Sequence, residues 1–180
     1  MEQILNAEDI AAGVERLADA VVRHGDGSFT VAGSSSETLA GKKVAGLTDG
    51  VLIKISKAMK ITSVLRSSAV KGKRIWNSAS STLLLGGEVI VGAKSETAIT
   101  KFGSTFAPVW TLRIPSTGVS SSISANGNSY LALTSRGAIS GITGWKPTTP
   151  SLLVITFDGK GVINAATALP GLVTPLSLSY

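Results

Sequence analysis

The residues that could do chemistry are few, and their spacing is poor for it. His24 is the only histidine among 180 residues, and there is no cysteine. A Ser-His-Asp site would have to hang on that single ring. A metal centre built from several histidine or thiolate ligands cannot come from one chain. No metal and no cofactor is expected. Beyond residue 50 the acids are Glu88, Glu96 and Asp158, and a glycosidase carboxylate pair would have to be drawn from these. Asp158 stands before Gly159 between two apolar runs, which a hairpin turn explains. Glu88 follows Gly86-Gly87 and reads as a solvated charge after a turn. Ser68-Ala69-Val70-Lys71 matches a Ser-x-x-Lys pattern, but that pattern acts from a helix start with partner motifs, and here it lies in a basic, serine-containing stretch. Ala40-Gly41-Lys42-Lys43 lacks the spaced glycine and the Ser or Thr of a phosphate loop. No enzyme is expected. Among the tryptophans, Trp110 lies inside a strand pattern and Trp76 stands alone beside a basic stretch. Trp145, in Gly144-Trp145-Lys146-Pro147, is the one placed for contact with a glycan.

Binding chemistry is better represented. The chain carries a net charge of +6, unevenly placed. Residues 1–26 hold six acids and two bases, a net −4, and the remainder holds fifteen bases and five acids, a net +10. From Lys42 to Arg74 there are nine bases against the single acid Asp49. Lys54, Lys57, Lys60, Arg66, Lys71, Lys73 and Arg74 therefore form a candidate partner surface. Without interleaved aromatics it favours an acidic protein face over nucleic acid. The competing reading is a solvated basic edge that guards a sheet against pairing.

The elements that would position these groups are mostly strands. Residues 5–25 are the exception and predict a helix. Asn6 can cap it, and Leu5 and Ile10 have staple spacing. Arg23, His24 and Gly25 make a cationic last turn and a stop. Ile10, Val14, Leu17 and Val21 form a narrow apolar seam of coiled-coil type. A helix this short needs a partner, so the seam is an oligomerisation or docking interface. Glycine supplies 20 residues, charged residues are 16% and aromatics 5%, a composition of short strands and turns. Strands are predicted over 28–32, 51–56, 58–65, 97–101 and 109–114, with a short one over 138–142. Hairpins are predicted across Gly86-Gly87, Asn126-Gly127 and Asp158-Gly159. Residues 33–41, 66–74 and 144–150 read as loops, and the proline-broken tail after residue 168 as an edge strand or arm. The fold class is mainly β, a short N-terminal α-helix followed by an antiparallel β-sandwich or barrel. Residues 1–25 form the helix and 26–180 the β body, with a subdivision near 66–76. There is no exact internal repeat. No run of about 18 apolar residues suits a membrane span, and no secretion signal is expected.

A cysteine-free, Gly/Ser/Thr/Ala-rich β body behind the Ile10, Val14, Leu17, Val21 seam, with Asn126-Gly127 and Asp158-Gly159 hairpins, resembles the virion structural proteins of tailed bacteriophages. Capsid decoration proteins, head fibres and small tail-accessory proteins share this style. The resemblance implies a non-enzymatic protein, assembled as a homo-oligomer with a trimer favoured. It implies attachment to other virion proteins of a capsid, or of a tail, and localisation to a virion put together in the host cytoplasm. The alternative is a carbohydrate- or receptor-binding module at a fibre tip, with Trp145 at the contact.

Overall fold

The computed structural model describes residues 20–79, 82–114, 121–125, 128–135, 137–147, 149–169 and 171. Twelve strands follow in chain order: β1 Ala20–Arg23, β2 Phe29–Ser35, β3 Asp49–Ile55, β4 Ile61–Ser67, β5 Lys73–Ala79, β6 Leu84–Val91, β7 Lys94–Phe102, β8 Pro108–Ile114, β9 Ser121–Ala125, β10 Asn128–Ser135, β11 Ser151–Phe157 and β12 Ile163–Leu169. They make three four-stranded antiparallel sheets, β1-β2-β3-β4, β5-β6-β7-β8 and β9-β10-β11-β12. Within each sheet every strand pairs with its successor, so a chain without an exact sequence repeat traces the same meander three times. The protein is mainly β, and among the described residues there is no helix.

The helix expected over residues 5–25 is corrected at its C-terminal end. Ala20–Arg23 is β1, paired from Ala20↔Ala32 to Arg23↔Phe29. Residues 24–28 are the hairpin loop behind it, closed by the His24 N–H donating to the Ser28 carbonyl at 2.9 Å. Val21-Val22 is a β-branched pair, and the free edge of β2 offers it ladder hydrogen bonds that a helix end lacks. Val21 is thus a strand residue, 59% exposed. Ile10, Val14 and Leu17 lie outside the described residues, as do Asn126-Gly127 and the tail beyond Gly171. The register Ala125↔Asn128 leaves two residues between β9 and β10.

The sheets pack face to face, and the middle one is shared. Successive side chains of a strand point to opposite faces. On β6, Leu84 joins Ile99 and Ile114 against Leu131, Leu133, Leu153, Ile155 and Phe157 of the third sheet. Its neighbour Leu85 joins Trp76 and Phe102 against Ala32 and Leu52 of the first. Two cores therefore lie back to back across one layer. Trp76 is fully buried, with its ring edge-on to Phe102 at 6.0 Å. Connector residues 68–72 separate the first sheet from the second.

The Gly86-Gly87 hairpin is corrected as well. β6 runs straight through both glycines, with Gly86↔Ile99 and Gly87↔Ala98 on one side. On the other side β5 shifts register between Trp76 and Ser78. The bulge presses the Ile75 carbonyl into the space where a Gly87 side chain would start, 1.8 Å from an added Cβ. Glycine here marks a close backbone approach and not a turn. The actual reversal is Gly92-Ala93, with Val91↔Lys94 closing it and Gly92 at φ +59°. Glu88, expected to be a solvated charge, sits mid-strand, where burial raises its pKa. The short strand expected over 138–142 is a turn closed by the Ile142 N–H on the Ile139 carbonyl, and Ile139 enters the core. Residues 66–67 and 73–74 of the expected basic loop belong to β4 and β5.

Four hairpins share one loop. In 24–28, 56–60, 103–107 and 158–162 the first N–H donates to the carbonyl four residues on, and the fourth N–H donates back to the first carbonyl. This is the three-residue loop whose last residue is left-handed. Glycine holds that place at Gly27 and Gly161, but Met59 (φ 58°) and Phe106 (φ 62°) hold it in the other two. The left-handed conformation costs a non-glycine residue about 1–2 kcal/mol. Met59 is 70% exposed, whereas Phe106 is 7% exposed within the first core. Met59→Gly is therefore expected to stabilise the fold by about 1 kcal/mol. Phe106→Gly is expected to destabilise it by about 2–4 kcal/mol, because a lost buried phenyl outweighs the relieved strain. Urea denaturation of the two variants checks the opposite signs.

Candidate functional site

Between the first and second sheets the packing opens at one end. The inner face of the first sheet runs from Ala32 and Leu52 in the core to Thr30 and Lys54 at its rim, cross-strand partners on β2 and β3. His24, at the end of β1, falls on the same face, and its Nε2 shares a 2.8 Å hydrogen bond with the Thr30 hydroxyl. The second sheet contributes Leu83 before β6, Phe102 at the end of β7 and the 103–107 loop. Together they enclose a cleft of about 360 Å³. A further depression of about 420 Å³ shares Asp26, Ser28 and Lys54 with it and continues past Lys57 to Thr62. Placing polar loop residues on a rigid double layer is the usual way that a β scaffold builds a site.

The charges in this mouth are held by short local bonds. The Asp26 Oδ1 accepts from the Ser28 hydroxyl at 2.6 Å and from the Ser28 N–H at 2.9 Å. Those two bonds keep its carboxyl below the usual carboxylate range. The Lys54 ammonium stands 6.0 Å over the Phe106 ring, a weak cation–π distance. His24, Asp26 and Ser28 are the residue types of a hydrolytic triad, but they are not wired as one. Ser28 bonds to the carboxylate and the imidazole bonds to Thr30, so no nucleophile–base–orienter chain exists.

The residues singled out from the sequence scatter. Lys54 lines the mouth, and Lys57 and Lys60 stand exposed on the β3–β4 hairpin beside it. Lys71 and Lys73 are exposed at the turn into β5. Arg66 and Arg74 do not face outward. Arg66, its side chain 7% exposed, pairs with the buried Asp49 at 3.3 Å and donates to the carbonyls of Ser35 and Glu37. Arg74 is 5% exposed, with its guanidinium 4.3 Å over Trp76 and an Nη2 donated to Thr100 at 2.9 Å. Burial, with a smaller push from Arg113, lowers its pKa to about 10. Trp145 is half-buried against the second core, and its indole N–H is given to Ser135 at 3.0 Å. Trp110 gives its own to the Gly159 carbonyl at 3.1 Å, and its ring fills the space beside Gly161.

The acids are mostly spoken for. Asp158 accepts the N–H groups of Lys160 and Val162 across its own turn. Glu96 pairs with Lys94 at 2.8 Å and Arg113 at 3.5 Å. Among the described residues no group of three or more His, Asp or Glu could hold a metal ion. The Ala40-Gly41 step of the false phosphate loop is a tight reversal with both residues left-handed, and Leu39 and Lys42 bridge across it.

The mouth itself was hidden from sequence reading by the misplaced helix end. Once residues 20–23 are a strand, the alternation Val22, His24 and the hairpin partner Thr30 follow from period two. The His-Gly-Asp-Gly-Ser stretch is the signal that could have found it. Compared with known proteins, the chain matches no family model and no curated sequence.

Proposed function

We propose that this is a non-enzymatic structural protein that works as an assembled homo-oligomer on a larger particle, a tailed-phage virion being the particle that its composition suggests. The observation that carries the reading is the outer edge of the third sheet. β12, INAATAL, has β11 as its one paired neighbour among the described strands. It carries no charge and no proline, and Asn164, Ala165 and Thr167 are exposed. Of the other outer strands, β1 ends in Arg23, β5 begins with the exposed Lys73 and β8 has Pro108 and Arg113, while β9, SSISA, is shorter and likewise uncharged. An uncharged seven-residue edge is a template for another strand unless something covers it. A second copy is the occupant we assign. Ile10, Val14 and Leu17, the seam read from the sequence, are the second contact we assign to the assembly.

Light scattering behind a sizing column tests this. The intact protein is expected to elute as a multiple of 18.3 kDa. Ala165→Lys/Thr167→Lys, which places two charges on the edge, is expected to shift it to the monomer mass with an unchanged β signal in circular dichroism. Leu17→Asp reads the seam in the same way. An intact protein that is monomeric at every concentration sinks the assembly reading.

A further inference from the structure

We infer that the mouth between the first and second sheets is a binding site for a neutral saccharide unit, with one sugar ring laid over the apolar floor. A sugar ring has an apolar C–H face and a rim of hydroxyls that both donate and accept. The mouth has the complementary division. Leu83, Phe102 and Phe106 make its floor, and aromatic surface is a large apolar contact with a preferred face. Its rim offers both hydrogen-bonding roles: the Asp26 carboxylate only accepts, the Lys54 ammonium only donates, and the His24 ring and Ser104 hydroxyl can do either. The charges of Asp26 and Lys54 offset each other, which favours a neutral ligand over phosphate or a carboxylate. The volume of about 360 Å³ falls at the small end of ligand sites.

The backbone adds an independent observation. Among the described residues five non-glycine residues are left-handed, and the two bulky apolar ones with buried side chains, Leu83 (φ 58°) and Phe106 (φ 62°), both line this mouth. Both side chains pack in the first core, and the left-handed backbone sets them side by side at the floor of this one cleft. Glycine fills the equivalent loop position at Gly27 and Gly161, so the loop itself does not require a phenyl. The site does not depend on the assembly reading, since the mouth lies within one chain.

The test is saturation-transfer difference NMR with the full chain and the methyl glycosides of glucose, galactose, mannose and N-acetylglucosamine. At least one glycoside is expected to take saturation from the intact protein with a millimolar Kd. Lys54→Met and Asp26→Asn, both at solvent-accessible rim positions, are each expected to weaken it at least about tenfold, the loss of one charge-assisted hydrogen bond. Circular dichroism of both variants is expected to match the intact protein. Two results overturn the inference: transfer that survives both variants, or no transfer to any of the four glycosides, including the case where a ³¹P line of inorganic phosphate broadens on the intact protein and not on Lys54→Met. That last case would make the mouth an anion site.

Discussion

Gly87→Ala is expected to cost on the order of 3 kcal/mol or more, enough to unfold a domain of ordinary stability. The added methyl would start 1.8 Å from the Ile75 carbonyl oxygen and 2.9 Å from the Trp76 Cα. A Cβ has no rotamer through which to escape, because the backbone fixes its direction. Relief requires β5 to move off β6, which breaks the ladder on both sides of the bulge between Trp76 and Ser78. It also draws Trp76 away from Phe102, at the centre of the first core. Gly25→Ala is the control, since an added Cβ meets nothing within 4 Å there. It should change stability by no more than about 0.5 kcal/mol. Urea denaturation of the pair decides between a continuous β6 and the Gly-Gly turn suggested by the sequence. Equal stabilities would favour the turn.

The second large effect is Asp49→Ala, expected to cost about 3–5 kcal/mol. Asp49 is 0% exposed. Its carboxylate accepts the Ala45 N–H at 2.9 Å, the Gly46 N–H at 3.0 Å and the Arg66 guanidinium at 3.3 Å. Truncation orphans two backbone donors and leaves Arg66 without its counter-ion, although Arg66 Nε already lacks a hydrogen-bond partner. Breaking one side of a buried pair costs more than replacing both sides. Asp49→Ala/Arg66→Met should therefore recover part of the loss, with a coupling above about 1 kcal/mol in the double-mutant cycle. Additive losses would mean that the pair contributes nothing beyond its separate hydrogen bonds. The cycle also separates stability from partner binding, because Arg66 belongs by sequence to the basic stretch yet is committed to Asp49 in the fold.

Local signals in the chain were a good guide wherever local physics decides. The alternation of Val51, Ile53 and Ile55 marked β3, the strand predicted over 109–114 is β8 with Pro108 at its start, and Asp158-Gly159 marked the β11–β12 hairpin. Each of these needs only period two, a missing N–H or a turn preference. The failures share a cause. The run from Leu83 to Gly87 reads as a strand end and a turn because glycine pairs usually are one. Only the bulged β5 alongside makes them the middle of a strand. A sheet covered on both faces also loses the polar alternation that would have revealed its continuity. Residues 20–23 fit a helix end as well as a strand until β2 supplies an edge.

The sequence by itself determined the mainly β class, most strand positions, the acidic-to-basic asymmetry and the scarcity of acid–base chemistry. These depend on composition and on neighbours a few residues away. Only the tertiary structure decided that the strands form three stacked meanders. It buried Arg66 and Arg74 while leaving Lys54 open. It also brought His24 and Asp26 of one hairpin to Phe106 of another. Those outcomes depend on which sheet face meets which, and that is set by contacts between residues some eighty positions apart, which no local pattern encodes.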